Sequence, residues 1–182
     1  MAKTRIAVIV GSLRKDSFNR KLADALPGLA PDVEFTQLRI DDLPPYNQDD
    51  DGRPAEPVKR LKSEIAAATG LIFVTPEYNR SFSGVLKNAI DHASRPYGQN
   101  AWKGKPAGVL GVSIGAAGTA MAQQHLRNVL AYLDVPTLGQ PEVFIQHKDG
   151  VFEGDGRLGA STAKFVKGWM DTYLAFVKRH AA

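Results

Sequence analysis

The chain has 182 residues, 43% of them hydrophobic, enough for one domain spanning 1–182 to bury a core without disulfides or metals. It contains no cysteine, which excludes a thiol nucleophile, a dithiol redox centre, thiolate-bound zinc and cysteine-ligated iron–sulfur clusters, so any redox chemistry has to be carried by an organic cofactor. The net charge of +4 is spread along the chain rather than gathered into dense Lys/Arg patches; it suits anionic small molecules and not nucleic acid.

The start, Met1-Ala2-Lys3-Thr4-Arg5, is followed by too few apolar residues for a signal peptide, and no run approaches membrane-spanning length. The expected location is therefore cytoplasmic, with no membrane partner. The first element is Ile6–Val10, an aliphatic run that reads as a buried strand. Gly11 is expected to let the chain turn sharply into a polar loop, with a helix beginning near Phe18 or Asn19. Hydroxyls at Ser12 and Ser17, the Asn19 amide and the Arg14 cation fall within that one turn. With the free N–H groups of a helix N-terminus they compose a cradle for a phosphate.

Two better-known phosphate loops do not fit. Nothing after Gly11 supplies the second glycine or the Gly-Lys pair of G-x-x-x-x-G-K-[ST]. The glycine positions of G-x-G-x-x-G are taken by Leu13 and Asp16, whose side chains keep a pyrophosphate away from the backbone. A hydroxyl-rich loop of this kind suits one terminal monophosphate, as in FMN. An ordinary strand-to-helix turn with a Ser or Asn cap is the plainer alternative.

Val33–Leu38 reads as a second strand, the Pro-rich span Asp41–Pro57 as a surface loop, and Glu56–Thr69 as a helix with Val58, Leu61, Ile65 and Ala68 on one face. A third strand, Leu71–Val74, ends at Thr75-Pro76-Glu77-Tyr78-Asn79-Arg80-Ser81 before a helix over Gly84–Ala93. In that loop Pro76 stiffens the turn, and Glu77 to Arg80 offer backbone amides beside an aromatic ring and a cation. Such a wall suits a flavin, which needs donors for its ring and positive charge beside its reduced form.

The fourth strand, Ala107–Val112, ends in Gly111-Val112-Ser113-Ile114-Gly115, which formally matches the nucleophile elbow G-x-S-x-G; Asp134 and His147 follow in the Ser…Asp…His order of the α/β-hydrolases. A serine esterase is therefore a rival reading, although no His-Gly-Gly-Gly-type oxyanion segment is present. The run Gly115-Ala116-Ala117-Gly118 is better explained by a flat ligand passing close to the backbone. Thr119–Leu133 follows as a helix, Val143–Ile145 as a fifth strand, and Thr162–Val177 as a closing helix. Its aromatic stripe of Phe165, Trp169, Tyr173 and Phe176 reads as core packing. His92, His125, His147 and His180 have no metal-ligand spacing, and His125 is expected in a structural or interface role.

Alternating strands and helices argue for a parallel sheet covered on both faces. The expected fold is α/β, a flavodoxin-like three-layer sandwich with a five-stranded sheet of order 2-1-3-4-5, whose ligands sit at the carboxyl ends of the strands.

Gly11-Ser12-Leu13-Arg14-Lys15-x-Ser17-x-Asn19, Thr75-Pro76-Glu77-Tyr78-Asn79 and Leu86-Lys87-Asn88-Ala89-Ile90-Asp91 together resemble the NAD(P)H-dependent FMN reductases, above all the quinone and chromate reductases of bacteria. The resemblance implies FMN as bound cofactor, NADPH or NADH as co-substrate, and a homodimer or homotetramer with the site near a subunit interface. It implies that Ser12, Leu13, Arg14, Ser17, Phe18 and Asn19 bind the FMN phosphate. Pro76, Glu77, Tyr78, Asn79 and Arg80 would line the isoalloxazine, and Ser113, with Gly115 beyond it, would complete the pocket. Two departures from the family pattern, Gly115-Ala116-Ala117-Gly118 for a Gly-Gly pair and Phe82-Ser83 for an aliphatic-Pro pair, imply an acceptor pocket of different shape. The expected reaction is ping-pong hydride transfer from NAD(P)H through the flavin to a quinone, chromate, an azo compound or free flavin. No side chain is assigned an acid–base role, and Arg80 is the cation placed to tune the flavin or meet the phosphates of the reductant. A flavodoxin-type electron carrier is a third reading, opposed by the basic charge of this chain, since such carriers are strongly acidic.

Overall fold

The computed structural model describes residues 4–180. Five strands, β1 (Arg5–Val10), β2 (Glu34–Leu38), β3 (Gly70–Val74), β4 (Ala107–Ser113) and β5 (Val143–Gln146), form one parallel sheet of order β2-β1-β3-β4-β5. The register pairs Val10 with Val74, Val74 with Leu110 and Ser113 with Gln146, so β1 and β3 end level with each other while β4 and β5 run further at the same edge. Between the strands run α1 (Phe18–Leu29), α2 (Glu56–Ala67), α3 (Gly84–Ser94) and α4 (Ala120–Tyr132), with α5 (Ala160–His180) at the end.

Alternation along the buried strands divides the core in two. Ile6, Val8 and Val10 of β1 point with Ile72, Val74, Leu110 and Val112 towards α1 and α5. Ala7 and Ile9 point with Leu71, Phe73 and Val109 towards α2, α3 and α4. A strand buried on both faces has no polar positions to spare, which is why these strands read as unbroken aliphatic runs. The expected three-layer flavodoxin-like architecture is the one observed.

The stripe on α5 is core only in part. Trp169 and Tyr173 are fully buried and stacked, with ring centroids 5.2 Å apart. They lie over glycines of neighbouring strands: a Cβ at Gly108 would stand 2.6 Å from Trp169, and one at Gly70 2.8 Å from the Tyr173 hydroxyl. That hydroxyl donates to Leu71 O at 2.8 Å, and burial pushes its pKa well up. Phe176 is half-buried and Phe165 is exposed, because α5 turns those positions away from the sheet. The Asp41–Pro57 loop contains a short 3-10 turn, Gln48–Asp50, and is pinned by α3: Asn88 accepts from Tyr46 N and donates to Pro44 O.

Candidate active site

Loops from β1, β3 and β4 leave the carboxyl edge side by side and enclose a cleft of about 230 Å³. The β1 loop contributes Ser12, Arg14 and Ser17, with Phe18 and Asn19 from the first turn of α1. Pro76, Glu77 and Tyr78 come from the loop after β3, and Val112, Ser113 and Ile114 from the end of β4. Leu13, Asn79, Arg80 and Gly115 belong to the same loops but stand outside the cleft lining. Larger hollows lie elsewhere, one of about 540 Å³ beneath the loop around Tyr46. The smaller cleft joins a helix N-terminus to the strand ends.

The β1 loop is built as an N-terminus with donors to spare. Ser17 caps α1, its Oγ accepting from Arg20 N at 3.2 Å, and its own O–H hydrogen remains to donate. No acidic residue occupies the first turn. Arg14 takes part in no ion pair among the described residues; its guanidinium lies 5.2 Å from the centre of the Phe18 ring. A cation and unused amides at one helix start attract an anion.

Several side chains sit otherwise than the sequence suggests. Asn19 is buried with its amide turned inward: Nδ2 donates to Val112 O and Oδ1 accepts from Val112 N, both at 2.9 Å. It joins α1 to β4 instead of standing free in the cradle. Gly11 has no left-handed backbone; a Cβ there would meet Ser83 Oγ at 3.0 Å and Leu86 at 3.2 Å, so the glycine lets α3 approach β1. Gly118 does need positive φ (59°), and a Cβ there would press on the backbone of Phe144 and Ile145. Its cause is therefore packing against β5, whereas a Cβ at Gly115 would make only an ordinary contact with Ser113 Oγ at 3.6 Å.

The loop after β3 is a tight reverse turn. Tyr78 and Ser81 exchange backbone hydrogen bonds of 2.9 and 3.0 Å around Asn79 (φ 51°) and Arg80 (φ 66°). Two left-handed central residues make this a type I′ turn without glycine. The turn leaves Tyr78 half-exposed and Arg80 in solvent. The Glu77 carboxylate accepts from first-turn amides of α4 and pairs with Arg80 at 3.4 Å. Ser113 Oγ accepts from Gly115 N at 3.2 Å.

His147, just past β5, belongs to this edge, although the sequence marks it only as the last member of a Ser…Asp…His order. Its N–H donates to Ser113 O at 2.8 Å and its ring stacks on Phe18 with centroids 3.7 Å apart. Its position directly after a strand was the available signal. The esterase geometry is absent: Asp134 O accepts from Gly104 N ahead of β4, at the opposite edge from Ser113, and its carboxylate pairs with Lys103 at 3.4 Å. His125 lies on α4 with Nδ1 3.1 Å from Ser81 Oγ.

Comparison with known proteins agrees with the geometry. The family model described as NADPH-dependent FMN reductase matches residues 4–150. A 2-hydroxy-1,4-benzoquinone reductase of a Burkholderia species is 51% identical over 176 residues, covering 96% of both chains. A quinone reductase of Pseudomonas putida is 46% identical, covering 97% of this chain and 96% of its own. The structure of FerB, a flavoenzyme NAD(P)H:(acceptor) oxidoreductase from Paracoccus denitrificans, superposes with a TM-score of 0.92 at 46% identity, covering 97% of this chain and 98% of that one. This chain belongs to the NADPH-dependent FMN reductase family.

Proposed function

We propose that the protein is an NAD(P)H-dependent FMN enzyme that reduces quinones, and that the carboxyl-edge cleft holds its flavin. The observation that carries this reading is the meeting, in one cleft, of an unpaired cation at an open helix N-terminus with a strand-end turn of aromatic and backbone groups. Arg14, the Ser17 hydroxyl and the first amides of α1 bind the phosphate. Pro76–Tyr78 border the ring on one side, and Ser113 and Ile114 on the other. Ser113 is oriented by its bond from Gly115 N. Phe18, backed by His147, keeps water from the phosphate end. Bound in this way, FMN supplies the hydride-accepting and hydride-donating chemistry.

Tyr78 and Ile114, exposed to 52% and 75%, flank an open face that NAD(P)H and the acceptor use in turn, which makes the kinetics ping-pong. Arg80, at the rim, meets the phosphates of the reductant. A flat open face also admits azo compounds, chromate and free flavin. The apolar residues around the cleft further support a homodimer or homotetramer with the site near the interface.

The purified protein is expected to be yellow, to show the visible flavin bands, to be bleached by NAD(P)H alone and to turn NAD(P)H over when a quinone is added. Initial-rate plots at several quinone concentrations are expected to give parallel double-reciprocal lines. A colourless protein that FMN cannot reconstitute would refute the reading.

A further inference from the structure

Glu77 carries a charge that a wall around a flavin ring does not need. Its side chain is only 8% exposed, and Oε2 accepts from Met121 N at 3.1 Å and Ala122 N at 3.2 Å. Those are first-turn amides of α4, a helix whose own cap residue, Thr119, makes no capping bond because its Oγ1 is taken by Gln123. The same helix touches the turn twice more, through Met121 Sδ beside Arg80 at 3.9 Å and His125 beside Ser81. A turn whose central residues both hold left-handed backbone without glycine persists only where its surroundings fix it.

The helices that follow β1, β3 and β4 begin beside one another at the carboxyl edge, and they differ in what occupies their first amides. α3 is capped by Ser83, which is buried. α4 is capped by the Glu77 carboxylate, whose Oε1 also accepts from Arg80 Nη1 at 3.4 Å within the turn. α1 has a cap, no acid in its first turn and Arg14 beside it. An anion arriving at this edge would have to displace a buried carboxylate to use α4, whereas α1 is free to take it.

We propose that Glu77 is the positioning residue of the flavin site: as the cap of α4, supplied from another element, it fixes the Tyr78–Ser81 turn that borders the ring and removes α4 as a competing phosphate site. FMN is thereby oriented with its phosphate at α1 and its ring at the turn. This rests on the assignment of the cleft to FMN.

The test compares FMN with riboflavin, which lacks the phosphate, by titrating flavin-stripped protein. Glu77→Ala is expected to weaken both ligands by the same factor, about tenfold or more, and to shift the visible bands of bound flavin. Arg14→Ala is expected to weaken FMN alone. If Glu77→Ala folds and binds riboflavin as the wild-type chain does, or weakens only FMN, the proposal is overturned. Should Glu77→Ala fail to fold, Glu77→Gln decides: with a neutral acceptor it is expected to weaken both ligands equally, by about threefold or more, and wild-type affinity for riboflavin overturns the proposal. A wild-type chain that binds neither flavin would instead refute the assignment of the cleft itself.

Discussion

Arg14 and Ser17 do different work in the same cradle. Ser17 Oγ accepts from Arg20 N, which leaves its O–H hydrogen to donate outward. Among the described residues Arg14 pairs with no carboxylate, and its guanidinium lies against the Phe18 ring, itself backed by His147. Each contact to a phosphate is a charge-assisted hydrogen bond worth about 1.5–3 kcal/mol. The double variant Arg14→Ala with Ser17→Ala is therefore expected to lose FMN affinity by roughly 100-fold or more, measured by quenching of flavin fluorescence. An unchanged dissociation constant would mean that the phosphate lies elsewhere.

Between elements, single polar side chains decide how the cleft is held open. Asn19 satisfies both the N–H and the C=O of Val112 across 93 residues of sequence. Asn19→Ala leaves those two buried groups unpaired, and the expected loss is about 2–4 kcal/mol in urea unfolding, with weaker flavin binding as β4 shifts. A second link ties the loop after β2 to α2. Arg60 donates to Asp42 at 2.6 and 3.0 Å, and its hydrogen bond holds the Asp42 carboxyl below the usual carboxylate range. A carboxylate whose pKa is depressed by folding adds stability above its unfolded pKa of about 3.9, and that stability is lost as pH falls through the folded value. Asp42→Asn is therefore expected to be less stable than wild type near neutrality. The two should converge in denaturant titrations carried down through acid pH.

At the scale of the whole molecule, the parallel sheet has a chemical edge and a structural edge. The fold was readable because strands buried on both faces leave long aliphatic runs, and because every strand-to-helix loop must emerge at the same edge. That topology brings the loops after β1, β3 and β4 together but not each of their residues into the cleft, since Leu13, Asn79, Arg80 and Gly115 stand outside its lining. The direction of individual side chains does not follow from it: Asn19 turns to a residue 93 positions away and Glu77 to one 44 positions away. No local pattern encodes either contact, nor the stacking of His147 on Phe18. Asp134 is the clearest test of the division between edges. It follows α4 with φ 60°; its N–H donates to Ala131 O while Val135 N donates to Leu130 O. These two bonds, with Val135 and Leu130 in one buried cluster, define a Schellman ending in which Asp134 holds the left-handed position that favours glycine. Its ion pair with Lys103 is exposed on both sides and contributes little. Asp134→Gly is therefore expected to keep full NAD(P)H-dependent quinone reduction and to gain roughly 0.5–1 kcal/mol in unfolding free energy. Loss of activity in that variant would place chemistry at the amino edge of the sheet and contradict the assignment of the cleft.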